Sequence, residues 1–191
     1  MAKTASYYHH YKGTHLSPTE KVEKRVVELL FHSNVSDDTR DSSIVFELKH
    51  SSECVQVARI LAQKRSLDVA LAEAAAALHD IYVIVTGSYG NHAKLGAPMA
   101  EKILKETGGF TESEIKTITD AVYHHSEKEV YSDDPYIELI KDADVFDCSF
   151  YKNSEAEYRR TKNPDIFIHY AKRVKNIRKE LGLPEEPVFR T

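Results

Sequence analysis

Histidines and aspartates recur along this 191-residue chain in a spaced series: His50, the pair His79-Asp80, His92, the pair His124-His125, and the trio Asp142, Asp144 and Asp147. Imidazole nitrogens and carboxylates without thiolates form the donor set of Mn, Fe, Co, Ni or catalytic Zn rather than of a structural zinc site. Two histidines and two aspartates on one ion would leave positions open for water and substrate. The focus is His79-Asp80, which ends the alanine-rich run 71–78, a stretch that reads as buried packing. Burying an ionised carboxylate costs several kcal/mol or more unless it is paired or coordinates a cation.

Taken singly, each of these residues has a plain reading. His50 between Lys49 and Ser51-Ser52 reads as a surface histidine, and His92 as a solvated first-turn residue. His124-His125 suits a helix C-terminus, whose dipole favours cations. Asp142 and Asp147 read as exposed acids, whereas Asp144 is flanked by Ala143, Val145 and Phe146. Together they fall on consecutive predicted helices, the way helix bundles build metal sites from facing side chains.

Those helices are legible from caps and apolar spacing. Ser17-Pro18-Thr19-Glu20 is a capping box with proline at the first helical position, opening a helix with Val22, Val26, Leu29 and Leu30 on one face. Residues 34–43 read as a polar loop. A second helix carries Leu48, Val55, Val57, Ile60 and Leu61, and Ser66 or Asp68 caps the third, which ends at His79-Asp80. Residues 81–85 read as its tail or a turn out of it. Asn91 is the expected cap of a fourth helix stopped by Gly108-Gly109, and Thr111-Glu112-Ser113-Glu114 is a second capping box. Pro135 opens a sixth through Ile137, Leu139, Ile140, Ala143 and Phe146. Residues 154–181 read as basic, surface-wrapping helix interrupted at Asn163-Pro164. The expectation is one all-α domain over residues 1–191, a single compact bundle of about six to eight helices.

Composition bounds the function. A hydrophobic fraction of 41% and a charged fraction of 29% are ordinary for a globular protein, and the net charge of −4 leaves no basic footprint for nucleic acid. The longest apolar stretch reads as far short of a membrane span, and the N-terminus has no apolar signal core, so no membrane partner and a cytoplasmic location are expected. Cys54 and Cys148 lack metal or short-pair spacing and read as buried free thiols. The Tyr7-Tyr8-His9-His10-Tyr11 run reads either as a mobile tail or as a cover over a pocket or partner.

The order of the ligands resembles the H…HD…D signature of the HD-domain superfamily of metal-dependent phosphohydrolases. Lys49-His50-Ser51-Ser52-Glu53-Cys54-Val55 is similar to the helix that presents the first histidine, and Ala76-Ala77-Leu78-His79-Asp80-Ile81 to the central segment. Asn91-His92-Ala93-Lys94-Leu95-Gly96-Ala97 and Lys141-Asp142-Ala143-Asp144 are similar to the following helix and the last-ligand element. The resemblance covers about residues 45–150. It implies that His50, His79, Asp80 and Asp144 bind a divalent metal (Mn, Fe, Co, Ni, Zn or Mg), with His79 and Asp80 catalytic and no organic cofactor. His92 with His124 or His125 matches positions that in some branches hold a second metal or the substrate phosphate, with Asp80 bridging. Tyr82 departs from the glycine common after His-Asp-Ile, and the Gly-Tyr-Pro segment of the cyclic-di-GMP hydrolases is missing.

The activity the resemblance implies is hydrolysis of a phosphate ester, of a nucleotide or small phosphorylated metabolite, by a metal-bound hydroxide. Lys94, one turn beyond His92, is a candidate phosphate contact, with a solvated helix lysine as its plain alternative. The six-residue set His50, His79, Asp80, His92, His124 and Asp144 also resembles the di-iron oxygenases of the same superfamily, typified by inositol oxygenase. A third reading is a non-catalytic metal-binding helical domain. The small phosphorylated substrate is the expected partner, and a homo-oligomer stays open.

Overall fold

The structure, a computed structural model, describes residues 12–190; the Tyr7–Tyr11 run lies outside them. The described residues are helical and contain no strand. In chain order the helices are α1 (Pro18–Phe31), α2 (Ile44–Lys64), α3 (Val69–Leu78), α4 (Ile81–Thr86), α5 (His92–Thr107), α6 (Glu112–His124), α7 (Pro135–Cys148), α8 (Ser154–Thr161) and α9 (Pro164–Glu180), with a short 3-10 turn at Asp37–Thr39.

The ends of the helices follow the chain's own punctuation. Ser17–Glu20 and Thr111–Glu114 form reciprocal capping boxes at α1 and α6. Asp68, rather than Ser66, caps α3 by accepting from the Ala70 and Leu71 amides. Gly108, at φ +69°, ends α5, and the rigid Pro135 and Pro164 open α7 and α9. Asn91 differs from expectation: it sits in the left-handed region at φ 54° and its side chain makes no cap bond. Its backbone turn still places His92 as the first residue of α5.

Helix α3 lies at the centre. Its alanines, Ala72, Ala74, Ala75, Ala76 and Ala77, and Leu78 are buried all round, so α1, α2, α6 and α7 can pack against it closely. Leu61, Ile81, Ile84, Leu104, Ile118, Leu139, Ile140 and Ile177 complete the core. Each such side chain is worth about 1.5–3 kcal/mol when fully buried. The chain turns at His79-Asp80 and restarts as α4, so residues 81–85 form a short helix of their own.

The stretch Val69–Thr86 is, by length and composition, long and apolar enough to cross a membrane, which corrects the sequence expectation that no stretch reaches that length. Here it is core: 67% of it is buried inside the fold, and the His79-Asp80 turn breaks it.

Helix α4 ends on Gly87 at φ +76°, with Arg40 packed where a Cβ would sit. The Arg40 guanidinium donates to the Val83 and Ile84 carbonyls at 2.7 and 3.1 Å, satisfying the end of α4 and fixing the loop that leads to His92.

Candidate metal centre

Three helices and the turns that follow two others bring ring nitrogens and carboxylates together around Asp80. His50 comes from α2, His79 and Asp80 from the turn after α3, His92 from the start of α5, His125 from just beyond α6, and Asp144 from α7. His50 Nε2 lies 3.1 Å from His79 Nε2, 3.5 Å from Asp144 Oδ1 and 3.7 Å from Asp80 Oδ2, and His79 Nε2 lies 3.2 Å from Asp80 Oδ2. On the other side of the same carboxylate, Asp80 Oδ1 lies 3.4 Å from His92 Nε2 and 3.3 Å from His125 Nε2, and those two nitrogens are 3.1 Å apart.

The tautomers follow from what each ring touches behind. His79 Nδ1 donates to the Ala76 carbonyl at 2.7 Å, His92 Nδ1 to that of Tyr89 at 2.9 Å, and His125 Nδ1 to that of Val122 at 2.7 Å. A carbonyl can only accept, so Nδ1 carries the proton and each Nε2 presents a lone pair. His50 Nδ1 faces the Asp147 carboxylate at 2.6 Å, the carboxylate–histidine arrangement that orients metal-ligating imidazoles. Lone pairs meeting at 3.1 Å repel unless a cation or proton stands between them. Asp80 Oδ1 is buried and makes no hydrogen bond among the described residues.

These observations fit a divalent cation. Donors about 2.0–2.2 Å from an ion and about 90–110° apart would be about 2.8–3.6 Å from one another, and the separations above fall in or just beyond that window. His50, His79, Asp80 and Asp144 make one donor group, and Asp80, His92 and His125 a second.

The electrostatics agree. Burial alone would raise the Asp80 carboxyl, but His79 and then His125 hold it well below the usual carboxylate range. Asp144 is likewise held well below against its burial, first by the Lys128 ammonium and then by His50. Burial disfavours a charged His50, and the Asp144 and Asp147 carboxylates beside it outweigh that, so its pKa is well raised. His79 is raised against its burial, chiefly by Asp80. Burial pushes His125 down to about 4. Cys54 is buried and Cys148 half-buried, both free, and burial pushes both thiols up. They therefore stand beside His50 as neutral thiols rather than thiolate ligands.

Several sequence-marked residues lie elsewhere. His124 turns away, 41% exposed, with Nδ1 2.8 Å from Glu127 Oε2; of the two adjacent histidines, His125 is the one in the cluster. Lys94 is 54% exposed, 3.7 Å from Glu127 and over the Tyr123 ring, outside the cluster. Asp142 lies on the opposite face of α7 from Asp144, paired with Arg65 and Arg173 at 2.8 Å. Asp147 is buried at His50 instead of exposed.

Two residues had not been singled out. Lys128 is buried and donates from Nζ to Asp144 Oδ2. Glu47, one turn before His50, is fully buried; its Oε1 accepts from Ser42 and, at 2.8 Å, from the Tyr89 hydroxyl, while Oε2 has no partner among the described residues. Burial and then the Asp80 charge raise its pKa.

The family model of the HD domain matches residues 48–148, just over half of the chain, and spans His50, His79, Asp80, His92, His125 and Asp144. The chain belongs to the HD-domain family, a superfamily of metal-dependent phosphohydrolases. No solved structure matches the chain significantly.

Proposed function

We propose that this protein is a metal-dependent phosphohydrolase that releases phosphate from a small phosphorylated metabolite, with nucleotides the leading class. The observation that carries the reading is the convergence of Nε2 lone pairs, fixed by backbone carbonyls and Asp147, on a carboxylate with an unpartnered buried oxygen. A divalent cation held by His50, His79, Asp80 and Asp144 would polarise a phosphoryl oxygen and bring the pKa of water towards neutrality. The Lys128 ammonium is hydrogen-bonded to protein acceptors, which leaves charge neutralisation of an anionic phosphate as a role a divalent cation would fill.

The chain's own groups divide the remaining work. Asp80, held ionised, accepts and orients, and is a poor proton donor near neutral pH. His125, with a pKa near 4, stays neutral and offers a lone pair at Nε2. His92 and Asp144, 18% and 17% exposed, mark the side open to solvent, and His92 Nε2 is placed to pass a proton between the cluster and solvent. The α3–α4 core closes the opposite side and excludes water.

The test is hydrolysis of a panel of nucleotides, sugar phosphates, polyphosphates and cyclic nucleotides, read as phosphate or polyphosphate release and, for the cyclic nucleotides, as ring opening to the monophosphate, using protein stripped with EDTA and reloaded with Mn, Co, Ni or Zn. Wild type is expected to hydrolyse at least one class and Asp80→Ala to fall to background. No hydrolysis of any substrate with any metal would refute the reading.

One observation favours a second reading. Asp80 presents its two oxygens to separate donor groups, and His125 takes the place considered for His124 in a six-residue set. That set suits a di-iron oxygenase. Two irons per chain in anaerobically prepared protein, with substrate-dependent oxygen uptake, would support it over the hydrolase.

A further inference from the structure

Lys128 stands in an unusual position for a lysine: 2% exposed, on the loop beyond α6, with both hydrogen bonds of its ammonium made to protein. One goes to Asp144 Oδ2 and the other to the carbonyl of His125, so a single cation joins a residue of one donor group to a residue of the other. The loop is held from behind. Arg173 Nε donates to the Lys128 carbonyl at 2.7 Å, and Arg173 Nη1 is anchored on Glu138 and Asp142, each at 2.8 Å. At 2% exposure, and with two of its three N–H groups hydrogen-bonded to protein, the ammonium is committed to this frame.

Two consequences follow for Asp144. Its Oδ2 is taken by Lys128, which leaves Oδ1, the oxygen 3.5 Å from His50 Nε2, to face the donor group. A carboxylate so held offers an ion one oxygen instead of two. A fixed positive charge beside the ligand also opposes binding of another cation, as a like charge within about 4–6 Å shifts a proton's affinity by about ten- to a thousandfold.

We infer that Lys128 is a positioning residue that restricts Asp144 to a single contact through Oδ1, keeping one place at the ion free for substrate while lowering the affinity for the ion. This rests on the metal reading above. A lysine that served only to hold the fold together would behave differently. Its loss would lower the stability of stripped and loaded protein alike and leave the ion's surroundings unchanged.

The experiment titrates Mn2+ into EDTA-stripped wild type, Lys128→Met and Lys128→Gln, and records the visible spectrum of each with Co2+. Lys128→Met should bind Mn2+ about tenfold more tightly or better, by the charge argument. It should raise its Tm on loading by more than wild type does, and give a weaker Co2+ absorption as Asp144 adds its second oxygen. Lys128→Gln, which retains a donor to Oδ2 without the charge, should bind more tightly yet keep the wild-type Co2+ spectrum, and it carries the test if the methionine variant does not fold. Wild-type affinity and a wild-type Co2+ spectrum in the variants would overturn the assignment of Lys128 alone. Failure of wild type to bind Mn2+ would overturn the metal centre itself and this inference with it.

Discussion

Replacing Asp147 with asparagine should weaken divalent-cation binding although Asp147 is not one of the proposed ligands. Its Oδ2 accepts from His50 Nδ1 at 2.6 Å, both groups are buried, and the bond fixes which nitrogen of His50 faces the cluster. Asparagine preserves the shape and can still accept from Nδ1 through its amide oxygen. What it removes is the negative charge that makes Nε2 a stronger donor. Loss of such a partner typically reduces metal affinity about 10–100-fold, which at about 1.4 kcal/mol per decade is about 1.4–2.8 kcal/mol. Alanine goes further by leaving a buried N–H without an acceptor, which costs about 1–3 kcal/mol of stability besides. Isothermal titration of Mn2+ into stripped wild type, Asp147→Asn and Asp147→Ala measures the first quantity, and urea unfolding of the stripped proteins the second. An Asp147→Asn protein that binds Mn2+ as tightly as wild type would refute the claim that His50 acts through Nε2 under the control of Asp147.

Three further outcomes are expected. His125→Ala should lose cation binding at the Asp80 Oδ1 side, whereas His124→Ala, whose ring faces Glu127, should leave the isotherm unchanged; equal effects would contradict the placement of His125. The gap in Tm between Mn2+-loaded and stripped protein should widen as pH rises above about 6.5. The reason is that His50 and His79 have raised folded-state pKa values, so the stability their protons supply is complete below the unfolded value and is lost as pH climbs through the folded ones, leaving a bound cation to replace it. A constant or narrowing gap would count against this. Glu47→Gln should stabilise the stripped protein by about 1–3 kcal/mol at neutral pH by relieving an unpartnered buried carboxylate oxygen. Glu47 is raised by burial and by Asp80, so its cost is absent below the ordinary glutamate pKa and grows as pH rises through it; the gain in urea stability should therefore vanish in acid.

The helices were legible because caps and apolar spacing are local. Both capping boxes, the Asp68 cap and the proline starts lie where the sequence places them. Helical register also contained the choice between His124 and His125, since Ala121 and Val122 are buried and lie four and three residues before His125. On α7 the same spacing puts Asp144 and Asp147 on one face and Asp142 on the other, which explains why Asp147 reaches His50 while Asp142 meets Arg65 and Arg173. Lys128 carried no such signal. In Glu127-Lys128-Glu129 it reads as a solvated lysine, and its meeting with Asp144 depends on how Arg173, from a helix 45 residues on, folds the loop inward. Glu47 was similarly concealed, because its burial comes from Ser42 and Tyr89 on two separate loops. The left-handed turn at Asn91 arises from the loop path and not from a capping side chain.

The central claim is that Asp80 and the imidazoles around it hold a divalent cation. The most direct test is equilibrium titration of Mn2+ into EDTA-stripped wild type beside Asp80→Ala, with the bound metal counted after gel filtration. Saturable binding of one or two ions per chain by wild type, lost or severely weakened in Asp80→Ala, is the predicted result. Wild type that elutes without metal, or Asp80→Ala that retains the same stoichiometry and affinity, would contradict it.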